Sequence, residues 1–390
     1  MVNSKRIDER LKDYATPKQI EIIDAVNRLG SVRKAAKELG FHFSYGGRAI
    51  QSVKKKAALA GYAPQHNMNH PVPAPFVVSG TSTLYDENGM KLQWVKTKAD
   101  EAQKFDMIRE WIESLADGIK GMGPNPPAPK VSNADLLTVY PLGDPHFGMY
   151  AWAEETGDDF DAAIAEKLTC AAIDRLIESA PPSDTFILLP LGDLIHADSS
   201  TNRTPASGAT LDVDTRWSKV MKIALRAFIY AIKRGLEKHK RGIVRIVRGN
   251  HDPHASVAIA LALDAYFHGN DRLTVDLSPA DHWYYRFGKV LIGATHGDTT
   301  KERDLLGVMA ADRAKEWGNT EYRYWYCGHV HHSAKKEYPG VLVEYFRTLA
   351  AKDAWHAGQG YRSGRDAVCI VHHKDYGEIE RHRCDIGMLT

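Results

Sequence analysis

The sequence predicts an α/β protein with a small all-α module at its N-terminus, and three observations carry that prediction. Apolar runs at Leu136–Leu142, Ile243–Val247 and Val290–Ala294 have the near-continuous hydrophobicity of strands buried on both faces. Segments of helix length alternate with the strands, at about Ala162–Glu178, Thr215–His239, Ser256–Tyr266 and Leu305–Trp317, as in α/β domains. The first sixty residues instead repeat apolar positions at helical spacing and are clearly basic.

Taken in order, Thr16 and Pro17 suit the N-cap and first position of a helix whose apolar face is Ile20, Ile23, Val26 and Leu29, and Gly30 ends it. Ser31 caps a second helix to Leu39, with Ala35, Ala36 and Leu39 inward, and Gly40 makes the turn. A third helix runs roughly from Ser44 to Ala60. Gly46 and Gly47 inside it cost roughly 1 kcal/mol each relative to Ala, which predicts a frayed start or a helix ordered on DNA. A net charge of +2 hides the recurrence of Arg28, Arg33, Lys34, Lys37, Arg48, Lys54, Lys55 and Lys56 along this stretch, the footprint expected for a polyanion partner. The layout over residues 1–62 resembles the helix-turn-helix of phage and bacterial regulators. That resemblance implies DNA as the partner, with base edges read from Ser44, Tyr45 and Arg48 and positive charge added by Lys54, Lys55 and Lys56. The alternative is a small helical bundle with a solvated lysine face.

Residues 63–130 read as a connector. Pro64, Pro71, Pro73 and Pro75 predict an extended tether, followed by a hairpin of Ser82–Tyr85 and Lys91–Val95 turning at Asn88-Gly89. Phe105, Ile108, Trp111, Ile112 and Leu115 give an amphipathic helix over about Ala99–Ile119, and Gly121–Lys130 reads as a second flexible linker. Hairpin and helix could belong to the basic module, to the following lobe or to a homodimer contact.

Within residues 131–390, five short motifs follow one another: GDPHFG with Asp144 and His146, LGDLIH with Asp193 and His196, RGNHD with Asn250, His251 and Asp252, ATHGD with His296, and CGHVHH with His329 and His331. Each falls where a strand gives way to a loop. Side chains at i and i+2 of an extended segment share a face, so Asp144 can converge with His146, and His329 with His331, while His332 points away. Phosphodiesters are anionic and poor electrophiles; two divalent cations about 3.5–4 Å apart supply positive charge and a hydroxide at neutral pH. Carboxylate, imidazole and amide ligands suit Mn, Fe or Zn, whereas an all-oxygen shell would favour Mg or Ca.

In this order the motifs resemble the calcineurin-like metallophosphoesterase superfamily over roughly residues 135 to 390. The resemblance implies a four-layer αββα sandwich and a pair of divalent ions, with Mn expected and Fe, Zn, Ni or Mg possible. It also implies roles: Asp144, His146 and His331 on the first ion, Asn250, His296 and His329 on the second, and Asp193 bridging. His251 would face the substrate as general acid or transition-state stabiliser, with Asp252 orienting its ring. The GDLIH form resembles DNA double-strand-break repair nucleases of the SbcD type, some of which use a histidine at the place of His196 to contact the scissile phosphate; the other reading is a loop histidine bonded to Asp198. The polar loop Ser199–Asp214, with Arg203, is a candidate lid. Trp355, His356 and Tyr361 could border the site or simply pack at the surface. Strands around Val341–Leu349, Ala367–His372 and Ile379–Arg383 are expected to complete the second sheet.

Composition narrows the classes. A 390-residue chain with 43% hydrophobic residues is globular. No apolar run reaches membrane-spanning length and the first residues lack the apolar core of a signal peptide, so the expectation is a cytoplasmic protein with no membrane partner. Cys170, Cys327, Cys369 and Cys384 have no C-x-x-C spacing and read as reduced thiols. The function expected is hydrolysis of DNA phosphodiester bonds, with the basic module delivering the nucleic acid. The alternatives are hydrolysis of a small nucleotide or cyclic nucleotide diester, and a DNA-binding regulator whose phosphoesterase lobe is a scaffold.

Overall fold

The computed structural model describes residues 6–72, 76–87, 89–99, 120–205 and 207–389, and the chain divides into two units, Met1–Ile108 and Arg109–Thr390. The helix expected over Ala99–Ile119 lies, apart from its first residue, outside the described residues.

In the first unit, helices α1 (Pro17–Leu29), α2 (Val32–Leu39) and α3 (Phe43–Leu59) pack around Ile22, Ala25, Val26, Ala35, Ala49 and Ile50. Gln19 accepts the Thr16 N–H at 2.9 Å, and left-handed glycines at 30 and 40 close the first two helices. The frayed start expected at Gly46-Gly47 is absent: α3 is helical from Phe43 onward. Gly46 is small because a Cβ there would lie 2.8 Å from the Phe41 ring, so close packing explains the glycine. The loose tether is also corrected over its described part. β1 (Tyr62–Ala63) pairs with β2 (Met68–Asn69), Pro64 opens the 3₁₀ turn between them, and the Val72 N–H donates to the Ala60 carbonyl at 2.9 Å. The hairpin strands β3 (Phe76–Asp86) and β4 (Gly89–Ala99) are longer than their composition suggested, with Asp86 opposite Gly89. Gln93 donates to the His66 carbonyl at 3.0 Å, which ties the hairpin to the helical part of this unit.

The second unit holds two sheets. One has six strands, in the order β15 (Gly377–Asp385), β14 (Asp366–His373), β5 (Asn133–Leu142), β6 (Ser183–Pro190), β7 (Arg241–Arg245) and β8 (Leu273–Asp276). The other has five, in the order β12 (Ala334–Tyr338), β13 (Val341–Tyr345), β11 (Tyr322–Cys327), β10 (Val290–Thr295) and β9 (Trp283–Phe287). Alternation along the strands builds the layers. Leu137, Val139, Ile187 and Ile370 of the first sheet meet Val290, Ile292 and Tyr326 of the second. Tyr140, Phe186 and Leu188 point the other way, toward helices α4 (Ala162–Ser179) and α5 (Trp217–Lys238), while Leu291, Trp325 and Val343 cover α7 (Leu305–Asp312). Helix α6 (Ala255–Tyr266) adds Ile259 and Leu263 to the first helical layer. The order is helices, sheet, sheet, helix.

Three local expectations change. The strands at 366–373 and 377–385 return to the six-stranded sheet, where Ile370 pairs with Val139, and do not complete the second one. The helix expected to Trp317 breaks at Arg313, whose φ of −128° and ψ of 42° are not helical. Gly121–Lys130 is no free linker in its first half: the N–H groups of Gly121 and Gly123 donate to Ala265 and Tyr266, and Arg272 donates to the Pro126 carbonyl. Among the described residues the four cysteines are unpaired thiols, and no helix is long and apolar enough to cross a membrane.

Candidate metal centre

Strands β5, β6 and β7 run parallel in one sheet, β10 and β11 in the other, and all five motifs leave from their C-terminal ends, where open α/β sheets place their sites. The reason for convergence differs from the i, i+2 parity of extended chain. The ligand-bearing residues lie beyond the strands, and Asp144, His146, Asp193, His329 and His331 all take positive φ, between 43° and 70°. Left-handed backbone at non-glycine residues costs about 1–3 kcal/mol each and persists where surrounding structure demands it. Here it turns five polar side chains back over the sheet edges.

A glycine precedes four of the candidate ligands, and close approach explains each: an added Cβ would lie 2.6 Å from the Arg347 carbonyl at Gly143 and 2.9 Å from the Asp144 carboxylate at Gly328. A Cβ on Gly249 would collide with the Asp193 carboxylate and backbone, and one on Gly192 with the His296 ring. The motifs' Gly-Asp and Gly-Asn pairs are therefore the imprint of one crowded cluster.

Three groups of donors form; one joins His146 to His196 and His251, and the other two contain the candidate ligands. Asp144, His146 and His331 lie within reach of a single ion, as do Asp193, His296 and His329, and Asn250 joins the second group with its Oδ1 3.0 Å from His296 Nε2. The Nε2 atoms of His146 and His331 face each other at 3.0 Å, a separation that suits two imidazoles sharing an ion at roughly 2.0–2.1 Å each. His296 Nδ1 donates to the Leu191 carbonyl at 2.8 Å, which fixes its tautomer and leaves Nε2 toward Asp193, 3.2 Å away. Both Asp144 oxygens accept the His329 N–H, and Thr348 Oγ1 donates to the Asp144 carbonyl at 2.6 Å.

The electrostatics ask for cations. Burial pushes the Asp144 carboxyl up to about 8, and burial takes His146 well below the ordinary histidine value and His331 down to about 3, leaving neutral rings with lone pairs to give. Burial alone would raise Asp193, yet the His296 charge and hydrogen bond carry it below the usual carboxylate range. Burial would lower His296, yet Asp193 and Asp144 lift it to about 10. A proton on His296 thus occupies the electrostatic place a metal ion would take.

His251 stands beside this cluster. Its N–H donates to Asp193 Oδ1 and its Nδ1 lies 2.8 Å from the His196 carbonyl, so that carbonyl, not Asp252, orients the ring. Asp252 is fully buried and accepts the N–H groups of Gly249 and Ile195, a backbone clasp between two motif loops; this corrects the orienting role expected of it. His196 is buried with Nδ1 3.2 Å from His146 Nδ1, and its Nε2 has no hydrogen-bond partner among the described residues. The reading that bonded it to Asp198 is overturned, because Asp198 instead accepts the N–H groups of His254 and Ala255 and pairs with the His254 ring.

The site opens into a cavity of about 340 Å³ bounded by Thr204–Asp212 on one side and by Asp353, Trp355, His356 and Tyr361 on another. The lid loop therefore does border the site, although Arg203 turns away to donate to the Gly208 carbonyl. Sequence reasoning missed Leu191, Thr348 and Asp353; a carbonyl acceptor leaves no residue signature, and an isolated Thr or Asp has none either. In the separate N-terminal unit, Tyr45, Arg48, Lys54, Lys55 and Lys56 are exposed and Ser44 half-buried, with Arg48 Nε 3.3 Å from the Ser44 carbonyl.

No family model and no curated protein matches the chain. Solved structures do resemble it: a conserved uncharacterized protein from Streptococcus pneumoniae described as a predicted phosphoesterase (10% identity, 64% of this chain, 98% of that one, TM-score 0.27), and zinc-complexed Vps29 from Entamoeba histolytica (14%, 64%, 98%, 0.28). Vacuolar protein sorting 29 from Cryptosporidium parvum is similar at 11% identity over 65% of this chain and all of that one, with a TM-score of 0.29.

Proposed function

We propose that the second unit is a metal-dependent phosphoesterase of the two-cation type and, more finely, a phosphodiesterase that cuts DNA. The observation that carries the reading is the convergence of Asp144, His146, Asp193, Asn250, His296, His329 and His331, from five separate segments, into one cluster at the strand ends of two sheets.

Asp144, His146 and His331 would hold one ion, His296, His329 and Asn250 the other, and Asp193 both. When bound, such ions neutralise phosphate charge and make water nucleophilic near neutral pH. The chain's own groups do the rest. His251 lines the cavity with Nδ1 committed to the His196 carbonyl as a donor, so that in the doubly protonated, imidazolium form its Nε2 would donate a proton to the departing oxygen and leave the ring neutral. Its backbone N–H on Asp193 ties its position to the ligand set. His196, buried behind His146, would hold that ring in place, and its Nε2, which has no partner among the described residues, would meet a phosphate oxygen only after a movement that uncovers it. Thr204 and residues 209–212 line one side of the pocket, where they would limit the access of bulk water.

Support for DNA as substrate comes from the exposed cations of α2 and α3 in the N-terminal unit, a stripe that would neutralise phosphates without reading bases. A cavity of about 340 Å³ favours a second reading, a small nucleotide diester, since ligand pockets of roughly 300–1,000 Å³ enclose small molecules.

Incubation with manganese and linear duplex DNA, single-stranded DNA or bis-p-nitrophenyl phosphate separates the readings. Turnover of the small ester with neither DNA cut would defeat the nuclease proposal. Asp193→Ala should abolish all hydrolysis; cleavage that survives it would show the centre to be misassigned.

A further inference from the structure

One wall of the cavity has no part in the chemistry just described. Residues 354–358 form a single helical turn whose N-cap, Asp353, accepts the His356 N–H at 2.8 Å and the His356 Nδ1 at 2.7 Å. His356 stacks on the His331 ring with centroids 4.8 Å apart and planes 21° from parallel, and the Tyr361 N–H donates back to the His356 carbonyl. The turn is thereby anchored to a candidate ligand. From it Trp355 and Tyr361 project together, rings 5.9 Å apart and 35° from parallel, and both line the cavity. Trp355 is 60% exposed and Tyr361 39% exposed, whereas Trp283 and Trp325 of the five-stranded sheet are buried.

Large aromatic surface left open in a cavity that also presents Asp193, Asn250 and His251 is surface kept for a ligand. Its position decides the ligand. The rings share one cavity with Asp193, His251 and His331, so a molecule whose phosphate reaches those residues lays its neighbouring group against the indole. The flat group next to a phosphate that stacks on indole and phenol irrespective of its identity is a nucleobase. Resting on the phosphoesterase reading, we propose that Trp355 and Tyr361 form a stacking platform for an unpaired nucleobase adjacent to the scissile phosphate, which makes the substrate a single-stranded or frayed nucleic acid end or a small nucleotide diester. A base still paired inside a duplex cannot expose its face to the platform, so duplex interiors would be poor substrates.

The test compares a thymidine dinucleotide with the same diester lacking its bases, in kcat/KM and, by calorimetry, in the binding of thymidine 5′-phosphate against deoxyribose 5-phosphate. The wild type should favour the base-bearing member of each pair by roughly tenfold or more. In the Trp355→Ala/Tyr361→Ala double variant that preference should fall toward one, through KM more than kcat, and Trp355→Phe should restore most of it. No preference in the wild type, or a preference that survives the double variant, overturns the platform. The binding pair decides the matter even if neither diester is hydrolysed, an outcome that would sink the phosphoesterase reading alone. A single-stranded oligonucleotide run beside the dinucleotide tells a nucleic acid end from a small diester.

Discussion

Both carboxylate oxygens of Asp144 accept the backbone N–H of His329 at 2.9 Å, across 185 positions of sequence. The bond joins the end of β5 in one sheet to the end of β11 in the other, so the candidate metal centre is also the seam that closes the sandwich on this edge. Stability and activity are coupled through it.

Thr348 extends that seam, since its hydroxyl donates to the Asp144 carbonyl and accepts the Ala350 N–H at 2.8 Å. Thr348→Val keeps the shape and removes both bonds. We expect a loss of about 1–3 kcal/mol in stability and a metal affinity lowered roughly 10- to 100-fold, as for other residues that hold ligands in place. Chemical denaturation and a metal-binding titration check the two effects; unchanged affinity would show that the Asp144 loop stands without Thr348.

Asp252 and His251 are neighbours with different expected phenotypes. Asp252→Ala strands two buried backbone donors and should lower the melting temperature by several degrees, at about 1–3 kcal/mol per unpaired group. His251→Ala should leave the melting temperature near that of the wild type and reduce kcat by roughly 10²–10⁴, the range of a lost proton donor. Should both variants lose activity at unchanged stability, the clasp assigned to Asp252 is wrong.

Removing metal should destabilise the second unit. Asp144, Asp193 and Asp252 are buried together, and a bound ion acts on folding by mass action, adding about 4 kcal/mol at a thousandfold excess over Kd. A thermal melt with manganese against one with chelator should therefore separate by several degrees in the wild type, and the separation should shrink in Asp193→Ala.

His239 reports on the core, away from the candidate ligands. It is buried between the Tyr140 hydroxyl, 2.8 Å away, and Ser183, and burial holds its ring down at about 3. An unfolded histidine titrates near 6.5, so the unfolded chain takes up a proton first as pH falls. The stability due to the neutral ring is complete above about 6.5 and is lost between there and about 3. His239→Gln should flatten the pH dependence of unfolding in that window by about one proton, or roughly 1.4 kcal/mol per pH unit; a slope identical to the wild type would place the ring in water.

How far the chain can be read without its structure depends on the range of the interaction concerned. Helix limits in the N-terminal unit follow from Thr16-Pro17, Gly30 and Gly40 because caps act over one turn, and the strands before each motif follow from their unbroken apolar runs. The candidate ligands were legible because their five motifs follow one another in the order that carries the resemblance, and the crowding of the cluster is written into adjacent positions such as Gly192-Asp193 and Gly249-Asn250.

What local pattern could not convey is which partner each polar atom meets. Asp252 stands next to His251 in sequence, yet its oxygens go to Gly249 and Ile195; the return of β14 to the first sheet depends on Ile370 finding Val139, far away in the chain. The sequence by itself determined most element types and the strand-end positions of the five motifs, since these rest on backbone propensity and hydrophobic period, while the candidate ligands within them came from what the resemblance implies. Only the tertiary structure decided the left-handed turns that aim those residues, the carbonyls that set their tautomers and the aromatic wall beside them, because each depends on contacts between segments that sequence proximity does not encode.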